Sequence, residues 1–217
     1  MFVGHYAASL ALKKFENRVS LGVLFLAVQL VDILFFPFVL LGIERVNIIE
    51  NYTQSTHFEL EYMPYTHSLV GALLWALAAY VTFRWVVVKR KGVALVIALA
   101  VFSHWLLDLV VHTPDLPLWS DASLKLGFGL WNNAIATYAL EAVLLVAALW
   151  LYLKSTAATS KGGKYGMGIF VVFLLLANIM NIFGPLQGES KVELAASALA
   201  AYFVFAAIAY WLDRKRE

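Results

Sequence analysis

Four of the five histidines in this chain, and three of its acids, sit inside or at the ends of stretches that are otherwise almost wholly apolar. They are His5, Asp32, His67, His104, Asp108, His112 and Glu141. An ionisable side chain in the middle of a bilayer costs several kcal/mol, so each is a functional hypothesis by default. Three carboxylates gathered together repel one another and resist desolvation, and unaided they would largely take up protons. One or two divalent cations would offset that charge. Imidazole and carboxylate ligands suit Zn²⁺, with Mn²⁺ or Fe²⁺ as the other candidates, and the chain has no cysteine to supply a thiolate. Such ions lower the pKa of a bound water and hold a phosphoester in line for attack. Asp32 and Glu141 are candidates for the general base as well as for ligands, and sequence alone leaves those two roles open.

The composition says what must position these groups. Of 217 residues 62% are hydrophobic and 14% charged, with a mean hydropathy of +0.79. A water-soluble globule of this size cannot hide so much apolar surface, and disorder is excluded by the same numbers. The net charge of +2 carries no nucleic-acid signature. The expectation is one all-α integral membrane domain over residues 1–217. Spanning helices need about 20 mostly apolar residues. Six stretches qualify, at about 19–42, 66–88, 92–112, 130–153, 165–184 and 192–212. Lys89-Arg90-Lys91-Gly92, Pro114 with Pro117, Gly162-Gly163 and Gly184-Pro185 read as the turns between them.

Basic residues alternate from one connection to the next. Lys13, Lys14 and Arg18 precede the first span, Lys89–Lys91 follow the second, Lys154, Lys161 and Lys164 follow the fourth, and Arg214–Arg216 end the sequence. The other connections are acidic or nearly neutral, among them Glu44, Glu59, Glu61, Asp115, Asp121, Glu189 and Glu193. The positive-inside rule then places both termini in the cytoplasm. Residues 1–18 are too short to cross. With His5, Ser9, Lys13 and Glu16 on one stripe they read either as an interfacial amphipathic helix or as a half-helix dipping inward, which requires protein cover.

Depth favours the second reading. Asp32 lies fourteen residues past Arg18, His104 thirteen past Lys91, and Glu141 thirteen before Lys154. Each displacement is about 20 Å at 1.5 Å per residue. A segment doubling back from Arg18 brings His5 to the same level. Asp108 and His112 follow His104 on one helical face, and His67 opens the second span at a similar height. Singly, most of these have ordinary explanations: Asp32 or Glu141 as a hydrogen-bonded core acid, His67 and His112 as interfacial polar tips. His57 reads as a solvated loop residue, and Asn178 and Asn181 as interhelical hydrogen-bonding groups. His104 with Asp108, level with Asp32, is hardest to explain that way.

At these residues the chain resembles a known family, the YdjM-like, LexA-binding inner-membrane metal-dependent hydrolases. The features are Gly4-His5-Tyr6, Leu30-Val31-Asp32, Tyr65-Thr66-His67-Ser68-Leu69 and Ser103-His104-Trp105-Leu106-Leu107-Asp108, in order over roughly the first 112 residues. That family is in turn similar to zinc-dependent phospholipase C and the single-strand-specific nucleases. The resemblance implies zinc, phosphoester chemistry, a prokaryotic cytoplasmic membrane, and ligand roles for His5, Asp32, His67, His104 and Asp108. Those enzymes carry a later H-x-x-x-E; here Thr137-Tyr138-Ala139-Leu140-Glu141 keeps the acid and replaces the imidazole with a hydroxyl, which favours one or two ions over three.

The expectation is a membrane-embedded hydrolase acting on a phospholipid or lipid-linked phosphoester, with Glu141 and His112 as further candidate ligands. A divalent-metal transporter and a non-catalytic membrane protein with a structural metal are the alternatives. Against transport, the inner halves of the third to fifth spans carry no ionisable group beyond their terminal anchors.

Overall fold

The computed structural model describes residues 1–186, 188 and 190–217; Glu189, read above as one of the loop acids, lies outside them. The chain is all-helical apart from two short strand pairs. In order come α1 (Val3–Leu12), α2 (Leu21–Val28), α3 (Leu30–Leu40), β1 (Arg45–Ile48), β2 (Phe58–Tyr62), α4 (Leu69–Val81), α5 (Lys91–Val111), β3 (Leu116–Pro117), β4 (Lys125–Leu126), α6 (Ala134–Ser155), α7 (Lys161–Phe183) and α8 (Lys191–Asp213). Five helices are long and apolar enough to cross a membrane, counting α4 with the π-helical turn that extends it to Val87. A sixth span is present if α2 and α3 count as one.

That sixth span departs from the expected continuous helix over 19–42. It bends by 48° at Gln29, whose φ and ψ of −100° and 5° leave the helical region. The bend gives α3 its own N-terminus and puts Asp32 in its first turn, where the partial positive charge of the unpaired N–H groups favours a carboxylate. Polar caps fix four of the later helix starts. Ser68 accepts from Gly71 N, Asn133 from Ala136 N and Ser160 from Gly163 N, and Ser190 forms a capping box with Glu193. The Ser160 cap explains why α7 begins at Lys161, with Gly162-Gly163 inside the helix and not in a turn.

α1 is the central element. It packs against α6, α2 and α5, and His5, Tyr6, Ser9 and Leu10 are fully buried. The interfacial-helix reading is therefore wrong: the His5–Ser9–Lys13–Glu16 stripe faces protein. The protein cover that a half-helix requires is present, and at its far end the bundle supplies partners for Lys13. Lys13 Nζ donates to Asp213 Oδ2 at 2.7 Å and to the carbonyls of Asn17 and Val19. Asp213 also accepts from Leu21 N and the Tyr152 hydroxyl. This buried network ties the start of the bundle to its end. At Gly22 a Cβ would come within 2.6 Å of Tyr210 Cβ and 2.7 Å of the Ala206 carbonyl, so glycine permits α2 to lie against α8.

The segment between α3 and α4, expected as an irregular acidic loop, contains an antiparallel hairpin pairing Arg45 with Tyr62, Asn47 with Glu59 and Ile48 with Phe58, with a bulge after Arg45. Beneath it Phe35, Phe36, Val46, Met63, Leu194 and Tyr202 form an apolar cluster separate from the main core of α1, α2, α5, α6, α7 and α8. A hairpin with one apolar face needs such a partner to be stable. The hairpin closes one end of the bundle; Lys13, Gly92 next to Lys91, Gly163 next to Lys164, and Asp213–Lys215 come together at the other.

Candidate metal centre

Five of the singled-out residues form a continuous group with His104 as its hub. His5, His104 and Asp108 offer ligand atoms within 4.8 Å of one another, and so do Asp32, His67 and His104. His104 Nε2 is 2.9 Å from Asp108 Oδ2 and 3.5 Å from Asp32 Oδ1. His67 Nε2 is 3.2 Å from Asp32 Oδ1, and His5 Nε2 is 3.2 Å from Asp108 Oδ1. The His5 ring lies flat on that of His104, with centroids 3.9 Å apart. All but Asp32 are buried; 17% of the Asp32 side chain is exposed, and it lines a cavity of about 260 Å³.

The neighbours set the direction of the imidazoles. His104 Nδ1 is 2.7 Å from the carbonyl of Val28, the last residue of α2. A carbonyl only accepts, so Nδ1 carries a hydrogen and Nε2 is the nitrogen turned to the acids. His67 Nδ1 is 2.8 Å from Thr66 Oγ1, whose own hydrogen goes to Glu44 Oε2 at 2.7 Å. His67 Nε2 faces inward, toward Asp32. Glu44, 1% exposed, further accepts from the backbone N–H groups of Tyr65 and Thr66. Oriented imidazoles backed by a carbonyl or carboxylate are the usual support of a metal site.

Nitrogens set against carboxylate oxygens in this way need a proton or a metal ion between them. Among the described residues both nitrogens of His5, and Nε2 of His104, are buried without a hydrogen-bond partner. Orphaned nitrogens facing Asp32 and Asp108 fit a divalent ion. The Met1 ammonium, 2.6 Å from Asp108 Oδ1, supplies one compensating charge.

Glu141 and His112 lie outside both ligand groups, although both line the cavity. Glu141 Oε2 accepts from the backbone N–H groups of Phe2 and Gly4, at 3.1 and 2.9 Å, and so caps the start of α1. His112 Nε2 is 3.8 Å from Asp108 Oδ2; its Nδ1 is held by Asp115 Oδ1 at 2.8 Å, and its ring packs on Trp131. His57 is not a free loop residue. It lines the cavity, accepting at Nδ1 from Asn51 N and donating from Nε2 to the Gly184 carbonyl. The interhelical bonds expected of the two asparagines are not made: Asn178 is buried with no partner among the described residues, and Asn181 is exposed at the cavity.

Three contributors escaped the sequence reading. Tyr202 donates its hydroxyl to Asp32 Oδ2 at 3.0 Å, Glu44 anchors the Thr66–His67 pair, and Trp105 Nε1 donates to the His67 carbonyl. Tyr202 looks like any packing aromatic of an apolar helix, and Glu44 like one more loop acid; neither carries a local signal. Compared with known protein families, with curated proteins and with solved structures, the chain gives no match.

Proposed function

We propose that the protein is a membrane-embedded, metal-dependent hydrolase that cleaves a phosphoester of a phospholipid or lipid-linked substrate. The observation that carries this reading is the pair of ligand groups that share His104 and present Asp32, His67 and Asp108 to one cavity. His5, Asp32, His67, His104 and Asp108 would hold one or two ions, zinc by preference. A bound divalent ion supplies Lewis acidity and lowers the pKa of a water ligand. Asp32 is the carboxylate best placed to take a proton, being the partly exposed acid of the group and held at Oδ2 by Tyr202. Glu141, in the same cavity, fixes the α1 start and with it His5.

The alternative of ion transport needs a route onward to the basic end of the bundle. Beyond His104 the interior is lined by Leu24, Phe25, Ile97, Val101, Leu145 and their neighbours; the nearest buried polar side chains, Ser9 and Gln29, are uncharged, and the charges further on, Lys13 and Asp213, are locked in their own network. A blind end supports a pocket. With the basic end in the cytoplasm, the pocket lies in the half of a prokaryotic cytoplasmic membrane away from the cytoplasm. The test is incubation of purified protein with headgroup-labelled phospholipids and Zn²⁺ or Mn²⁺. Metal-dependent release that is lost in Asp108→Ala is expected; no release with either metal overturns the reading.

A further inference from the structure

The cavity is chemically two-ended. At one end are Asp32, His67, Asp108 and Glu141; Tyr202, bonded to Asp32, leads from there to a mainly apolar wall formed by Phe36 of α3, Val46 and Phe58 of the hairpin, and Leu194 and Ala198 of α8. Leu194, Ser197, Ala198, Ala201 and Tyr202 recur at the spacing of one helical face, and small side chains in its middle hollow the wall where Phe36 stands opposite. Three residues that line the cavity are also exposed: Asn181 and Pro185 at the end of α7, and Ser197 on α8. They mark a mouth between the last turn of α7 and the first turns of α8, two helices long and apolar enough to cross a membrane, at the end where the two are connected.

We infer that this apolar half is a binding site for one alkyl chain of the substrate, which enters sideways from the bilayer between α7 and α8 with its phosphoester directed to the histidine–aspartate group. The inference rests on the proposed hydrolase reading for the phosphoester end only. A chain moving from lipid into the groove never crosses water, so entry needs no desolvation of the chain. The volume of about 260 Å³ falls below the ~300–1,000 Å³ of pockets that enclose drug-sized ligands. One chain segment and a phosphate fit that space; the body of a diacyl lipid does not, and its second chain stays in the bilayer. The hairpin, through Val46 and Phe58, closes the groove from above.

The test is photolabelling of the full chain in lipid nanodiscs with a lysophosphatidic acid carrying a diazirine within the first few carbons of its acyl chain. The adducts are mapped by mass spectrometry. Label on the inward residues Phe36, Ala198 and Tyr202 is expected, reduced several-fold in Ala201→Trp, which fills the hollow. A diazirine-tagged diacylglycerol, which lacks the phosphate, is expected to label these residues several-fold less. Label confined to outward residues of α8 such as Phe203 and Val204, or equal inward labelling by both probes, overturns the inference. The wild-type map decides even if the variant does not fold. Labelling needs no turnover, so a protein that binds the chain without hydrolysing any lipid refutes the hydrolase reading alone, and one that hydrolyses lipids without inward label refutes the groove alone.

Discussion

Thr66 Oγ1 stands 2.8 Å from His67 Nδ1 while its own hydrogen is engaged by Glu44 Oε2. The hydroxyl can therefore only accept from His67, and this fixes the tautomer of an imidazole whose other nitrogen faces Asp32 3.2 Å away. The relay Glu44–Thr66–His67 runs from the closed end of the bundle into the candidate metal centre without Glu44 touching the ligands.

Removing the relay is expected to weaken the ion while leaving every ligand in place. In Thr66→Val the His67 Nδ1–H loses its acceptor, and loss of such an outer partner costs roughly 10–100-fold in metal affinity. Zinc affinity measured against a chromophoric chelator checks this. Wild-type affinity in Thr66→Val would mean that His67 does not hold the ion.

The location of the centre was legible from spacing because depth is arithmetic. Asp32, His104 and a folded-back His5 come out level from the helical rise alone, and His104 with Asp108 needs only the i, i+4 rule. The supports were not legible. The bend at Gln29, which makes the Asp32 turn and places the Val28 carbonyl against His104, arises within an apolar run that reads as one uninterrupted helix. The hairpin depends on a long-range fit to Phe35, Phe36 and Leu194, which no local pattern encodes. Glu141 shows the limit from the other side. Its depth was read correctly, but depth does not say which groups a carboxylate meets, and here it meets the N–H groups of Phe2 and Gly4.

Glu141 is accordingly expected to matter for stability as well as activity. Hydrogen bonds to a charged group contribute about 1.5–3 kcal/mol each, and Glu141→Ala leaves two buried N–H groups at the start of α1 without their acceptor. A clear fall in thermal unfolding temperature is expected for Glu141→Ala, and a smaller one for Glu141→Gln, which keeps a carbonyl acceptor. If both variants unfold at the wild-type temperature and yet lose activity, Glu141 acts as base or ligand and not as the anchor of α1.

Binding of an ion should itself stabilise the fold, because the ligands come from α1, α3, the start of α4 and α5 and meet only when those elements are packed. A ligand that binds only the native state adds about 2.7 kcal/mol at a hundredfold excess over its Kd. Dialysis against a strong chelator should therefore lower the unfolding temperature, and stoichiometric Zn²⁺ should restore it. In His104→Ala, where both ligand groups lose their shared member, zinc should produce no such rise, whereas His112→Ala, outside both groups, should keep it. A zinc-dependent rise that persists in His104→Ala would place the ion elsewhere in the molecule, and loss of the rise in His112→Ala would bring that residue into the ligand set that the present distances deny it.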